Sequence, residues 1–100
     1  MEENKSGITV PALERGLNVL ELLAAREQPI SLKFISKELN IPSASAFRLM
    51  KNLTARGYAI EKNGGQILYS VGPKLLEIAY RCNRNMSLSA IARDVYKRQH

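Results

Sequence analysis

Four interruptions divide the first seventy residues, and they limit the fold more than any other feature. Pro29, the pair Asn40 and Pro42, Gly57, and Gly64-Gly65 each stop the regular structure that precedes them. The segments between them are short. None can bury an apolar face alone, so they must pack on one another around a shared core. A chain of 100 residues, 45% of them hydrophobic, suits one domain of this kind.

Three of the segments have helical spacing. Leu13, Leu17, Leu20 and Ala24 recur along one face with Leu23 alongside, while Arg15, Glu21 and Arg26 fall elsewhere. Pro11 suits a first turn, where its missing N–H had no partner to lose. The pattern predicts a helix over about residues 12 to 26. Ser31 is a natural N-cap for a second helix, from about Leu32 to Leu39, with Leu32, Ile35 and Leu39 inward. Asn40 tolerates the left-handed conformation that ends it. Pro42-Ser43 starts a third helix, about 43 to 56, whose inward stripe is Ala46, Leu49, Met50 and Leu53. The opposite face carries Ala44, Arg48, Lys51 and Ala55, and no acid occurs from 42 to 56. Gly57 sits where this helix needs a left-handed residue.

The period then changes to two. Tyr58 and Ile60 alternate with Ala59 and Glu61, and Ile67, Tyr69 and Val71 alternate with Gln66, Leu68 and Ser70. Lys62-Asn63-Gly64-Gly65 between them is a turn signal of the Asn-Gly kind. These residues predict a β-hairpin with one face on the core. Gly72-Pro73 ends it. A further helix follows with Leu75, Leu76, Ile78 and Ala79, to about Cys82, and Asn83-Arg84-Asn85 reads as a break. Ser87 can cap a last helix carrying Leu88, Ile91, Ala92 and Val95. The organisation is a flexible arm at 1–10, a compact unit at 11–72, a linker helix at 73–82, and the start of a truncated C-terminal region at 83–100.

Composition narrows the function. Fifteen Lys and Arg against nine Asp and Glu give a net charge of +6, which favours a polyanionic partner. Catalysis needs a convergent acid, base or nucleophile. Here the only histidine is the terminal His100, the carboxylates are scattered on helix surfaces, and Cys82 has only Arg81 as a basic neighbour in its helix. An enzyme is therefore not expected. No cofactor or metal set is legible, and the lone Cys82 reads as a small, buried or half-buried apolar residue. The polar start of the chain is no signal peptide. Glu21, Lys33 and Glu77 break the apolar stretches, so no membrane span is expected and a cytoplasmic location is.

Three short helices and a hairpin make an α+β, mostly helical unit. The second and third helices, joined by Asn40-Ile41-Pro42, have the lengths of a helix-turn-helix, and the hairpin follows as a wing. The third helix has what a major-groove reader needs: donors, positive charge, and no acid to repel phosphates. Arg48 offers a planar fork for a guanine edge or a phosphate; Lys51 better suits a phosphate. Ala44 and Ala55 permit close approach. Ser43 and Ser45 can donate to phosphates beside the helix N-terminus. The candidate DNA-binding residues are Ser31, Lys33, Ser43, Ala44, Ser45, Phe47, Arg48, Lys51, Asn52, Lys62, Asn63 and Gly64. Each has a plainer role open to it. Arg48 and Lys51 also fit a solvated face, Ser43 and Ser45 caps, and Gly64-Gly65 a tight turn. A winged module that binds protein or RNA remains the alternative.

The run from Leu13 to Leu23, LERGLNVLELL, resembles the opening helix of the IclR (isocitrate lyase regulator) family. The run from Ile41 to Leu53, IPSASAFRLMKNL, resembles its recognition helix. Gly57-Tyr58 and the stretch from Tyr69 to Ala79, YSVGPKLLEIA, match as well, in order, over about residues 11 to 80. The resemblance implies a winged helix-turn-helix followed by a linker helix, in a bacterial transcription regulator that represses or activates. It implies double-stranded DNA as partner and a homodimer or tetramer in the full-length protein. A small-molecule effector, often a carboxylate, would act only through a C-terminal domain absent from this chain. Arg48 matches the family's frequent recognition-helix arginine. The pattern departs at Ser43, where a basic residue is frequent, and at Ala44-Ser45, where Ser-Thr is. Residues 94–100 do not resemble the family and read as a truncation or assembly artefact.

Overall fold

The structure, a computed structural model, describes residues 7–85. Its elements are α1 (Pro11–Ala25), β1 (Ile30–Ser31), α2 (Leu32–Glu38), α3 (Ser43–Ala55), β2 (Ala59–Asn63), β3 (Ile67–Val71) and α4 (Pro73–Asn85). This is the winged helix-turn-helix architecture, with one strand, β1, beyond the predicted hairpin. The sheet has three antiparallel strands in the order β1-β3-β2. The two residues of β1 pair Ile30 with Tyr69 and Ser31 with Leu68, which covers the outer edge of β3. So short a strand has no periodicity to read.

The core is built from Val19, Leu23, Ile35, Ala46, Met50, Ala59 and Tyr69. Each helix and each long strand supplies part of it, except α4, which buries nothing among the described residues. Two faces differ from the sequence expectation. In α1 the buried residues are Val19 and Leu23, with Leu22 packed beside them, while Leu13 and Leu17 are 56% and 44% exposed. A leucine-rich helix carries two apolar stripes. The sheet takes the one through Val19, and Leu13, Leu17 and Leu20 instead line an open groove with Leu49, Leu53 and Tyr58.

In β2 the inward residue is Ala59, and Ile60 is exposed. The ladder sets Ala59 opposite Val71 and Glu61 opposite Tyr69, so the inward set is one residue out from the expected one. A shift of one flips every side chain of a strand. Glu61 thus faces inward beside the Tyr69 phenol, which donates a hydrogen bond to its carboxylate. The wing turn also differs. Asn63 stays in the strand opposite Ile67, leaving Gly64-Gly65-Gln66 as a three-residue loop. The left-handed residue is Gly65, at φ +88°, so this is not a two-residue Asn-Gly turn.

The C-terminal helix runs through the expected break to Asn85. Glu77 forms ion pairs with Lys74 at 3.7 Å and Arg81 at 3.0 Å, an i,i+3 and an i,i+4 contact that support this exposed helix. Cys82 is exposed on it, not half-buried. The helix expected after Ser87 and the stretch 94–100 lie outside the described residues, as do residues 1–6.

Burial raises the Tyr69 phenol above its ordinary value, and the charge of Glu61 and the hydrogen bond to it add to the shift. In the unfolded chain the phenol ionises near pH 10. Its contribution to stability is therefore fully present below about pH 10 and is lost as pH rises through the higher folded value. We expect urea midpoints to fall more steeply above pH 10 for the wild type than for Tyr69→Phe. Identical alkaline slopes would show that the folded protein leaves this phenol free to ionise.

Candidate nucleic-acid interface

The turn between α2 and α3 is fixed by local chemistry. The Asn40 N–H donates to the Lys37 carbonyl at 3.2 Å and the Ile41 N–H to the Ser36 carbonyl at 3.0 Å. Asn40 itself lies at φ +53°. This is a Schellman motif with asparagine in the left-handed position. The Ser36 hydroxyl then donates to the Ile41 carbonyl at 2.6 Å and ties the turn back to the helix. The end of α3 repeats the motif. Gly57, at φ +84°, donates to Thr54 at 3.1 Å, and Tyr58 donates to Leu53 at 2.9 Å. Both ends of the segment that holds α3 are thereby set by residues legible in the sequence.

Burial sets the rotation of α3. Ala46 and Met50 are fully buried, with Leu49 and Leu53 packed against the same core. Ser43, Ala44, Phe47, Arg48, Lys51, Asn52 and Ala55 are all exposed, and Ser45 is half-buried. No acid lies on this helix. The Lys51 Nζ sits 5.4 Å from the centre of the Phe47 ring, which gives the exposed ring a cationic neighbour. Pro42 is the N-cap and supplies no side-chain acceptor, so no side chain caps the first-turn amides of α3.

The other sequence candidates divide. The Ser31 oxygen accepts from the Phe34 N–H at 3.1 Å, so its immediate task is capping α2. Lys33 is exposed on α2. Lys62, Asn63 and Gly64 are exposed around the loop end of the β2–β3 ladder, apart from α3 in the chain's connectivity.

Three candidates are brought together in one place. Ser45, Arg48 and Asn52 line a cleft of about 240 Å³ with Leu49 and with Ala12 and Arg15 of α1. Arg15 was not among the residues singled out from sequence. In α1 it reads only as a residue off the apolar stripe, and its placement beside α3 is a tertiary fact. The available signal was its company: Ala12 and Gly16 are small, and small residues let a second helix come close.

Residues 12–61 match the IclR helix-turn-helix domain. The chain belongs to the IclR family. That family's helix-turn-helix is a domain of transcription regulators and not an enzyme class. The IclR domain here is similar in structure to an IclR family transcriptional regulator from Brucella abortus, with a TM-score of 0.69 and 26% identity over 94% of this chain and 35% of that one. It is similar to the Agobacterium tumefaciens repressor BlcR, with a TM-score of 0.70 and 24% identity over 92% of this chain and 36% of that one. Lactococcus lactis ZitR in complex with DNA shares the fold more distantly, with a TM-score of 0.57 and 19% identity over 97% and 68% of the two chains. This chain thus spans about a third of the length of the first two regulators. No curated protein matches it in sequence. No helix among the described residues is long and apolar enough to cross a membrane.

Proposed function

We propose that this IclR domain binds double-stranded DNA sequence-specifically, with α3 in the major groove and the β2–β3 wing along the backbone or in the minor groove. The observation that carries this reading is the outward face of α3. Its rotation is fixed by the buried Ala46 and Met50, and what it presents is Arg48, Lys51, Asn52 and Ser43 with no acid among them. A groove reader requires such a face, because an acid there would be repelled by phosphates. Ala44 and Ala55 keep it low enough to enter the groove. The occurrence of the same fold on DNA in the ZitR complex supports the reading. Lys33 and the wing-tip Lys62, Asn63 and Gly64 serve as backbone contacts, which position a protein without specifying sequence. On this reading the full-length regulator is a homodimer or tetramer, and any small-molecule effector acts outside this module.

Arg48 and Lys51 test the reading with different signatures. Arg48→Ala should weaken binding to a selected duplex by about 1–3 kcal/mol and relax preference at one base pair. Lys51→Ala should weaken binding to all sequences alike and lower the slope of log affinity against log salt by about one. Fluorescence anisotropy on duplexes selected from a random pool reads both. Wild-type retention insensitive to salt, or unchanged affinity in both variants, would take α3 out of the interface.

A further inference from the structure

The cleft between α1 and α3 contains two guanidinium side chains from different helices. Arg15 comes from α1 and Arg48 from α3, and the Ser45 hydroxyl and the Asn52 amide complete the polar lining. The remaining lining residues, Ala12 and Leu49, are apolar, and no carboxylate contributes. Among the described residues no ion pair engages either arginine. With no such partner and no carboxylate in the lining, Arg15 is a cation beside a concave polar site and can pair with an anion placed there. Ser45 lies in the first turn of α3, where the helix dipole also favours negative charge.

We propose that Arg15, with Ser45 and Asn52, holds one phosphodiester of the DNA backbone in this cleft, and so leaves Arg48 for the bases. The inference rests on the DNA-binding reading above and adds a residue and a role to it. An arginine suits the role because its fork spans two phosphate oxygens, where a lysine acts as a point charge. A phosphate fixed at the junction of α1 and α3 sets how deep α3 sits, since both helices then bear on one strand of the backbone. It also gives the two arginines separable effects. Arg15 positions the domain on any sequence, while Arg48 discriminates.

The test variant is Arg15→Gln, which keeps much of the aliphatic stem and a good helix former while removing the charge. Circular dichroism and a urea melt establish that it folds like the wild type. Its salt slope on duplex DNA should fall by about one, which is roughly fourfold less affinity lost between 50 and 200 mM salt. Its ranking of selected duplexes should not change, and Arg15→Lys should restore the slope. Inorganic phosphate is the second arm, because the same groups could take a free anion. Followed by NMR at the Ser45 and Asn52 amides, phosphate should shift them no more than chloride at equal ionic strength. An Arg15→Gln slope equal to wild type, with Lys51→Ala still lowering it, would overturn this inference and leave the DNA-binding reading standing. A saturable phosphate site lost in Arg15→Gln, with the duplex slope unchanged, would overturn it in favour of a free-anion site. Wild-type protein with no salt-dependent retention would overturn both.

Discussion

Gly72→Ala should destabilise the domain by about 3 kcal/mol, the upper part of the range for forcing extra volume into a packed site. Gly72 is buried at the point where β3 gives way to α4. Its N–H donates to the Tyr58 carbonyl at 2.9 Å, and two residues on the Lys74 N–H donates to the Gly57 carbonyl at 3.0 Å. These bonds strap the exit of the wing to the end of α3. A Cβ at Gly72 would run into the Gly57 carbonyl and come within 2.8 Å of the Ala59 amide nitrogen. The obstacle is backbone, so no side-chain rotation relieves it. The strap has to open instead, and its two hydrogen bonds weaken with it. Gly64→Ala is the internal control: a Cβ there meets nothing within 4 Å, and its φ lies outside the left-handed range. Urea unfolding of the two variants should separate them by most of the 3 kcal/mol. A Gly72→Ala midpoint matching that of Gly64→Ala would mean that the strap is slack.

The pairing of β2 with β3 sets how β2 faces. Ala59 lies inward because the ladder sets it opposite Val71, on the face of Glu61 and the buried Tyr69, and Ile60 is carried outward by the alternation. The sequence places Ile60 inward because hydrophobicity alone ranks Ile above Ala. The ladder register outranks it, and that register joins residues as far as twelve apart, Ala59 and Val71. The α1 face is illegible for a related reason. Leu13, Leu17 and Leu20 form as good a stripe as Val19 and Leu23, and only the position of the sheet chooses between them.

Features fixed by local chemistry were legible. The Asn40 and Gly57 helix ends, the Ser31 cap and the buried stripe of α3 each depend on residues within a turn or two of one another. Hence the outward face of α3 is readable before any fold is known, since its inward stripe has no rival. Arg15 lies on the other side of that line. Nothing within α1 points it at α3, and it joins Ser45, Arg48 and Asn52 only through the packing of two helices that are distant in sequence.

Met50→Ala should cost about 3 kcal/mol, within the range of roughly 2 to 5 for truncating a large buried aliphatic side chain to alanine. Met50 is fully buried and stands at the middle of α3, between Leu49 and Leu53 on the same inward stripe. Its removal leaves a void between α3 and the rest of the core, including Ile35 of α2. Alanine is the better helix former, so the loss comes from packing and not from helix propensity. A small domain has about 5–15 kcal/mol of stability in all, so this loss is a large share of it. In urea that leaves the wild type folded, Met50→Ala would then lose binding through unfolding, whereas Arg48→Ala leaves the fold intact and removes only the proposed contact. The two are told apart by adding an excluded osmolyte, which favours the compact state without restoring a missing guanidinium. Met50→Ala should regain folded signal and duplex binding together as the osmolyte is raised, and its urea midpoint should drop with an unchanged slope. Arg48→Ala should regain nothing. A Met50→Ala protein that melts like the wild type yet binds no duplex would contradict this account, because it would place Met50 at the DNA surface and turn α3 the other way round.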